Sequence, residues 1–243
     1  MILILFACES NSKEMNNFLI FQTSDLHFYS NLLKVTSEIN SAVCDYWGVD
    51  YMYFEGIKEG NNSVHAVFNR IYLLKTLLEG GEYDWVLQLD ADAFLWNFEK
   101  EDIFQKVLFS RNLQNKALVF CGGPNFHQVN SGVGFYNLRH PMTKKLLDIL
   151  LSQIQAIAGK GDIMAFGDDQ DILQNVLFAR FRSPENRETV FVFTGKEKNL
   201  FNENNGVYVR QITRQKLSWN LMDLESQMKE RIKVFLFDIF PFL

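Results

Sequence analysis

Apolar side chains along this chain follow two rhythms. Short, nearly unbroken apolar runs predict strands covered on both faces, and stretches with apolar residues every third or fourth position predict helices packed on a sheet. Met1 to Cys8 is the first such run and predicts a buried strand. From about Ser24 to Trp47 the spacing is helical, through Leu32, Leu33, Thr36, Ile39, Val43, Tyr46 and Trp47, and Gly48 ends it. Val49 to Phe54 predicts a second strand. Val64, Val67, Phe68, Ile71, Leu74 and Leu78 mark a helix closed by Gly80 and Gly81. Trp85 to Leu89 is a strand that runs straight into Asp90-Ala91-Asp92. Lys116 to Cys121 and Val129 to Leu138 are further strands, the latter interrupted by Gly132 and Gly134. Pro141 suits the first turn of a helix to about Ala158. A loop from Gly159 to Gly167 precedes a helix that starts at Asp168 and carries Ile172, Leu173, Val176 and Leu177. Val190 to Thr194 and Val207 to Val209 are late, short strands. This alternation predicts an α/β fold: a mostly parallel sheet with helices on both faces.

The pattern changes near the end and divides the chain into a domain over 1–212 and a tail over 213–243. In the tail Leu221, Leu224, Met228, Ile232, Phe235 and Ile239 recur at helical spacing. It is expected to be a helix packed back on the domain. A dimer or membrane-surface contact, or a cut inside a longer protein, are the other readings of its apolar end, VFLFDIFPFL. That end is too short to span a bilayer, and no other segment offers about 18 uninterrupted apolar residues. The N-terminal run lacks a basic leader and a cleavage site. A soluble, cytoplasmic protein is the expectation.

Composition narrows the function classes. A net charge of −5 disfavours a nucleic-acid binder, which needs a basic face. Cys8, Cys44 and Cys121 form no CxxC pair, so free core thiols are expected rather than a thiolate zinc site. The 23 Phe residues are expected to be mostly core.

Asp90 and Asp92 end an apolar strand, separated by one small residue. In open α/β sheets ligands gather at that edge. Two carboxylates so close repel unless a cation lies between them, and Mg²⁺ or Mn²⁺ suits the oxygen ligands. A surface turn is the plain alternative. Asp168 and Asp169 stand at a helix start, where carboxylates favourably face the macrodipole. There one of them can instead reach a pocket, as a base or to stabilise positive charge on a sugar carbon, with Gln170 beside it for sugar hydroxyls. Asn130 and Ser131 are polar residues in an apolar strand, and Gly132 and Gly134 clear space for a ligand or mark a bulge. Arg70 can reach a diphosphate or stand as a solvated helix residue. His127, in GGPNFHQ, is a loop histidine or a pocket residue.

These segments, in this order, resemble the GT-A fold glycosyltransferases, and more narrowly the family of fungal α-galactosyl- and mannosyltransferases and plant xyloglucan xylosyltransferases. The resemblance rests on INSAVCDYWGVDYMYF, NRIYLLKTLLEGGEYDWVLQLDADAF, VNSGVGFYNLRHP and GDDQDILQ, and covers roughly residues 1 to 210. It implies a Rossmann-like sheet and transfer of a sugar from a nucleotide-diphosphate sugar, UDP- before GDP-, to a glycan hydroxyl. It implies Mn²⁺ on Asp90 and Asp92, and a nucleoside near Ala7 and Glu9. Asn130, Asp168, Asp169 and Gln170 would surround the donor sugar and acceptor. The family usually takes a third metal ligand from a histidine near the C-terminus. This chain's histidines are His27, His65, His127 and His140, none so late. Asn202, Glu203, Asn204 or water are the expected substitutes. The rival readings are a metal-dependent phosphohydrolase and a non-catalytic carbohydrate-binding protein.

Overall fold

The computed structural model describes residues 17–61, 63–96, 100–122, 129–158, 169–180, 188–201 and 206–211. The Met1–Cys8 strand and the 213–243 tail lie outside these residues. The strands are β1 (Phe18–Ser24), β2 (Asp50–Glu55), β3 (Trp85–Asp90), β4 (Ala93–Leu95), β5 (Leu118–Gly122), β6 (Val129–Asn137), β7 (Val190–Phe193) and β8 (Val209–Gln211). The helices are α1 (Ser30–Trp47), α2 (Asn69–Gly80), α3 (Pro141–Ala158) and α4 (Asp169–Arg180). Six strands form one sheet in the order β2-β1-β3-β6-β5-β7, and β4 and β8 form a small second sheet. β1 is parallel to β2 and β3, β5 is parallel to β7, and β6 runs antiparallel to both β3 and β5.

Strand alternation sorts the core into two layers. Ile20, Leu87, Leu89, Val119 and Phe135 face α1 and the segment around a π-helical turn at Gln105–Phe109. Leu19, Phe21, Val86, Leu118, Phe120 and Tyr136 face α2, α3 and α4. Much of the phenylalanine excess sits in the first layer. Phe104, Phe135, Phe201 and Phe193 meet edge to face in a chain, at centroid separations of 5.6, 5.5 and 5.7 Å. Such pairs contribute about 1 kcal/mol each beyond their area. Cys44 and Cys121 are buried.

Three expectations change. The strand between β2 and β3 is Phe18–Ser24, a segment that the spacing left unassigned or gave to the first helix. Its polar Gln22 and Thr23 break the apolar run, because Gln22 faces a buried polar network rather than an apolar layer. The helix expected from Ser24 therefore starts at Ser30. The helix expected from Val64 begins as a 3₁₀ segment, Ser63–Phe68, and becomes α2 only at Asn69. Gly48 closes α1 as expected, at φ 67°, which a residue without Cβ adopts at no steric cost. Among the described residues no helix is long and apolar enough to cross a membrane.

Candidate active site

β3 and its parallel neighbours end at one sheet edge. β6 is antiparallel, so its start lies there too: Leu89 pairs with Val133, and Asn130, Ser131 and Gly132 continue past it beside Asp90. α4 begins at the same edge with Asp169 and Gln170. The turn Ala91-Asp92 follows β3 and leads into β4, whose partner β8 places Gln211 opposite Ala93.

Arg70, from the first turn of α2, holds this edge together. Its Nη2 lies 2.9 Å from Asp90 Oδ1 and 3.0 Å from Asp169 Oδ2, and its Nη1 donates to the Ser131 carbonyl at 2.6 Å. With its amide turned to satisfy both ends, Gln88 donates to the same carbonyl at 3.0 Å and accepts from Arg70 Nη1 at 3.2 Å. Arg70 is 8% exposed, so it is not a solvated helix residue. It is the buried counter-ion that ties the β3 carboxylate to the α4 carboxylate. Ser131 Oγ donates to Asp169 Oδ2 at 3.4 Å, and Ser131 N–H donates to Gln170 Oε1 at 3.4 Å.

The Asn130–Gly134 stretch is both a bulge and a lining of the site. Pairing with β5 jumps from Gly134 to Asn130 between Phe120 and Cys121. Asn130 Oδ1 accepts from the Gly132 N–H at 3.0 Å and shapes that irregularity. Gly132 leaves room for the Asp90 and Gln211 side-chain ends. A Cβ there would lie 2.7 Å from Asp90 Oδ2 and 2.6 Å from Gln211 Oε1.

Asp92 is buried, and burial together with the nearby Asp90 charge pushes its carboxyl up to about 7. Gln211 and, more weakly, Arg70 act in the opposite direction. Gln211 Nε2 donates to Asp90 Oδ2 and to Asp92 Oδ1, both at 2.9 Å. Gln211 Oε1 is buried and has no hydrogen-bond partner among the described residues. The donor set fits a hard divalent cation: two carboxylates one residue apart, one of them desolvated, beside an amide oxygen with nothing to accept from.

Below the turn lies a second set of polar side chains. Gln22 Nε2 donates to the carbonyls of Asp90 and Ala93 at 2.9 and 3.0 Å, and Thr36 Oγ1 donates to the Ala91 carbonyl at 2.7 Å. Asn40 Oδ1 accepts from Leu95 N–H at 2.8 Å, while its Nδ2 donates to Gln22 Oε1 at 2.7 Å. Three fully buried polar side chains thus bind the backbone on both sides of Asp92.

Of the residues singled out by sequence, Asp90, Asp92, Arg70, Asn130, Ser131, Asp169 and Gln170 come to this edge. Ala7, Glu9, His127 and Asp168 lie outside the described residues, as do Asn202, Glu203 and Asn204. Gln211, Gln88, Gln22 and Asn40 escaped sequence reasoning, and Thr36 was read only as a helix core position. Their signal is weak but present: each is a polar residue at a position where the strand or helix period demands an apolar one.

No protein-family model and no curated protein matches the chain by sequence. Solved structures do match its fold. One is the crystal structure of a glycosyltransferase involved in the glycosylation of the major capsid of PBCV-1. It is 14% identical with a TM-score of 0.62, over 88% of this chain and 99% of that one. Another is the glycosyltransferase GlyE of Streptococcus pneumoniae TIGR4, 14% identical with a TM-score of 0.50, over 88% of this chain and 60% of that one. At such identities the likeness establishes the GT-A-like fold.

Proposed function

We propose that this chain is a glycosyltransferase that moves a sugar from a nucleotide-diphosphate sugar, UDP- before GDP-, to a glycan hydroxyl. One observation carries the reading: the Asp90–Asp92 turn, the Ser131 segment and the start of α4 meet at a single sheet edge around Arg70. Three unrelated stretches of sequence converge there, on a fold shared with solved glycosyltransferases.

Asp90 and Asp92 would hold Mn²⁺ or Mg²⁺. Such an ion supplies Lewis-acid neutralisation of a departing diphosphate. The chain's own residues supply orientation. Arg70 keeps Asp90 and Asp169 at a constant separation, and Ser131 pins Asp169 and Gln170 against β6. Asp169 then presents a carboxylate whose direction is set before substrate arrives, to face positive charge on the sugar carbon or to take the acceptor proton. Gln170 and Asn130 offer amides for sugar hydroxyls. Asp168 would add a second carboxylate next to Asp169 in sequence. Holding donor and acceptor together would supply much of the rate.

The test is a thermal-shift panel of UDP- and GDP-sugars, with and without Mn²⁺, followed by a transfer assay on the best binder. A bound donor at about 100 times its dissociation constant adds about 2.7 kcal/mol. Stabilisation by one nucleotide sugar that requires Mn²⁺, and sugar transfer or slow donor hydrolysis, is expected. Phosphate release from simple monoesters without stabilisation by any nucleotide sugar would replace this reading with a phosphohydrolase. The anomer of the product, by NMR, separates retention from inversion.

A further inference from the structure

Asp90 and Asp92 are not left to themselves. β8 reaches across from late in the chain and places one amide between them. We infer that Gln211 is the third protein ligand of the divalent cation, offering Oε1 after a half-turn of its amide. The inference rests on the metal reading above.

The position of Gln211 is set independently of any ligand. β8 pairs with β4 in the register Ala93 to Gln211, Phe94 to Arg210 and Leu95 to Val209. Val209 is fully buried, and the Arg210 guanidinium stacks 3.4 Å from the Trp96 ring centroid. The Gln211 side chain, 7% exposed, is thereby directed at the acidic turn.

Its hydrogen bonding is lopsided in an informative way. Without a cation, the ionised carboxylates present only acceptors, so an amide nitrogen is the group that fits, and Nε2 donates to both at 2.9 Å. The same orientation leaves Oε1 buried with no partner among the described residues. An unmet buried acceptor is destabilising. A cation between the carboxylates inverts the requirement: it repels the N–H₂ and needs an oxygen. The terminal torsion of glutamine is broad and close to two-fold, so exchanging the two ends demands little else of the chain. Gly132 keeps the room, since a Cβ there would lie 2.6 and 2.7 Å from the two amide atoms.

The site so formed takes a particular class of ion. Two carboxylates and an amide oxygen make an all-oxygen set, which suits Mg²⁺ and Mn²⁺ over the nitrogen- and sulfur-seeking Zn²⁺, Co²⁺ and Ni²⁺. Among the described residues no group of three His, Cys, Asp or Glu is arranged to hold a metal. A neutral amide is what completes the pair here.

Direct Mn²⁺ titration followed by electron paramagnetic resonance, without nucleotide or acceptor, tests this. Wild-type protein is expected to bind one Mn²⁺. Gln211→Ala should weaken binding by about tenfold or more. Gln211→Glu, which keeps the length and adds a charged oxygen, should tighten it. Gln211→His should shift the ratio of Co²⁺ to Mg²⁺ affinity towards Co²⁺ by about tenfold. Far-UV circular dichroism checks that each variant is folded, and if Gln211→Ala is not, the Glu and His variants decide. Wild-type Mn²⁺ affinity in a folded Gln211→Ala, or an unchanged Co²⁺ to Mg²⁺ ratio in Gln211→His, overturns the assignment and leaves the Asp90–Asp92 site standing. Absence of Mn²⁺ binding by the wild type overturns the metal reading and the Gln211 role with it.

Discussion

Asp92 shows how much one carboxylate can gain or lose from its surroundings. Burial and the Asp90 charge push its carboxyl up to about 7 in the folded protein, from about 3.9 in an unfolded chain. The sign follows from proton binding. Between about pH 4 and 7 the folded state keeps a proton that the unfolded state has released, so this group's contribution is full below about pH 4 and is lost as pH rises through 7. Metal-free protein should therefore lose thermal stability over that window, as followed by unfolding midpoints in EDTA. Asp92→Asn should flatten the slope and abolish most sugar transfer while leaving the fold intact. A slope identical to wild type, or near-normal turnover with metal bound, would contradict the role given to Asp92. This residue was legible in the sequence, because an acidic pair after a buried strand is a local pattern. Gln211 was not, because its partner strand lies over a hundred positions earlier and only pairing brings them together.

At the scale of elements, the acidic turn is built as much by β1 and α1 as by β3. Gln22, Thr36 and Asn40 take up the Asp90, Ala91 and Ala93 carbonyls and the Leu95 N–H. A turn held at so many backbone points is preorganised before any ligand arrives. Asn40→Ala strips the side-chain acceptor from Leu95 N–H, while Gln22 Oε1 keeps the Tyr51 hydroxyl as a donor, and one unmet buried group costs about 1–3 kcal/mol. Denaturant unfolding should show a loss of about 1–3 kcal/mol, and the Leu95 amide should exchange with solvent faster than its β4 neighbours. A loss under about 0.5 kcal/mol, the range of ordinary surface substitutions, would mean that the network is incidental. Thr36 entered the predicted helix as one of its core positions, and that much was right. Periodicity locates a buried face. It does not say whether the face meets an apolar layer or a row of carbonyls. The same blindness hid β1, whose Gln22 and Thr23 interrupt its apolar run.

Across the whole molecule, one cation links parts that fold from distant sequence. Arg70 of α2 joins Asp90 of β3, Ser131 of β6 and Asp169 of α4. Breaking a buried pair by removing one partner costs about 3–5 kcal/mol, since a carboxylate stays behind in low dielectric. Arg70→Met should show a loss of that order in urea unfolding, together with lost transfer. Arg70→Lys should recover only part of it, because one ammonium cannot span the geometry of a planar fork. Full stability in Arg70→Met would show that solvent, not the guanidinium, balances those carboxylates. The sequence left Arg70 between a diphosphate contact and a solvated helix position. Burial removes the solvated reading.

Strand and helix alternation, the acidic pair at a strand end, the glycine stops and the helix from Pro141 were all visible in the order of residues. Each depends on neighbours within a few positions, where covalent geometry and period set the outcome. The antiparallel course of β6, the β4–β8 pairing, the Arg70 clasp and the amide of Gln211 against two aspartates were not visible there. They arise from contacts between stretches far apart in the chain, and only packing of the sheet edge selects which polar groups end up facing one another.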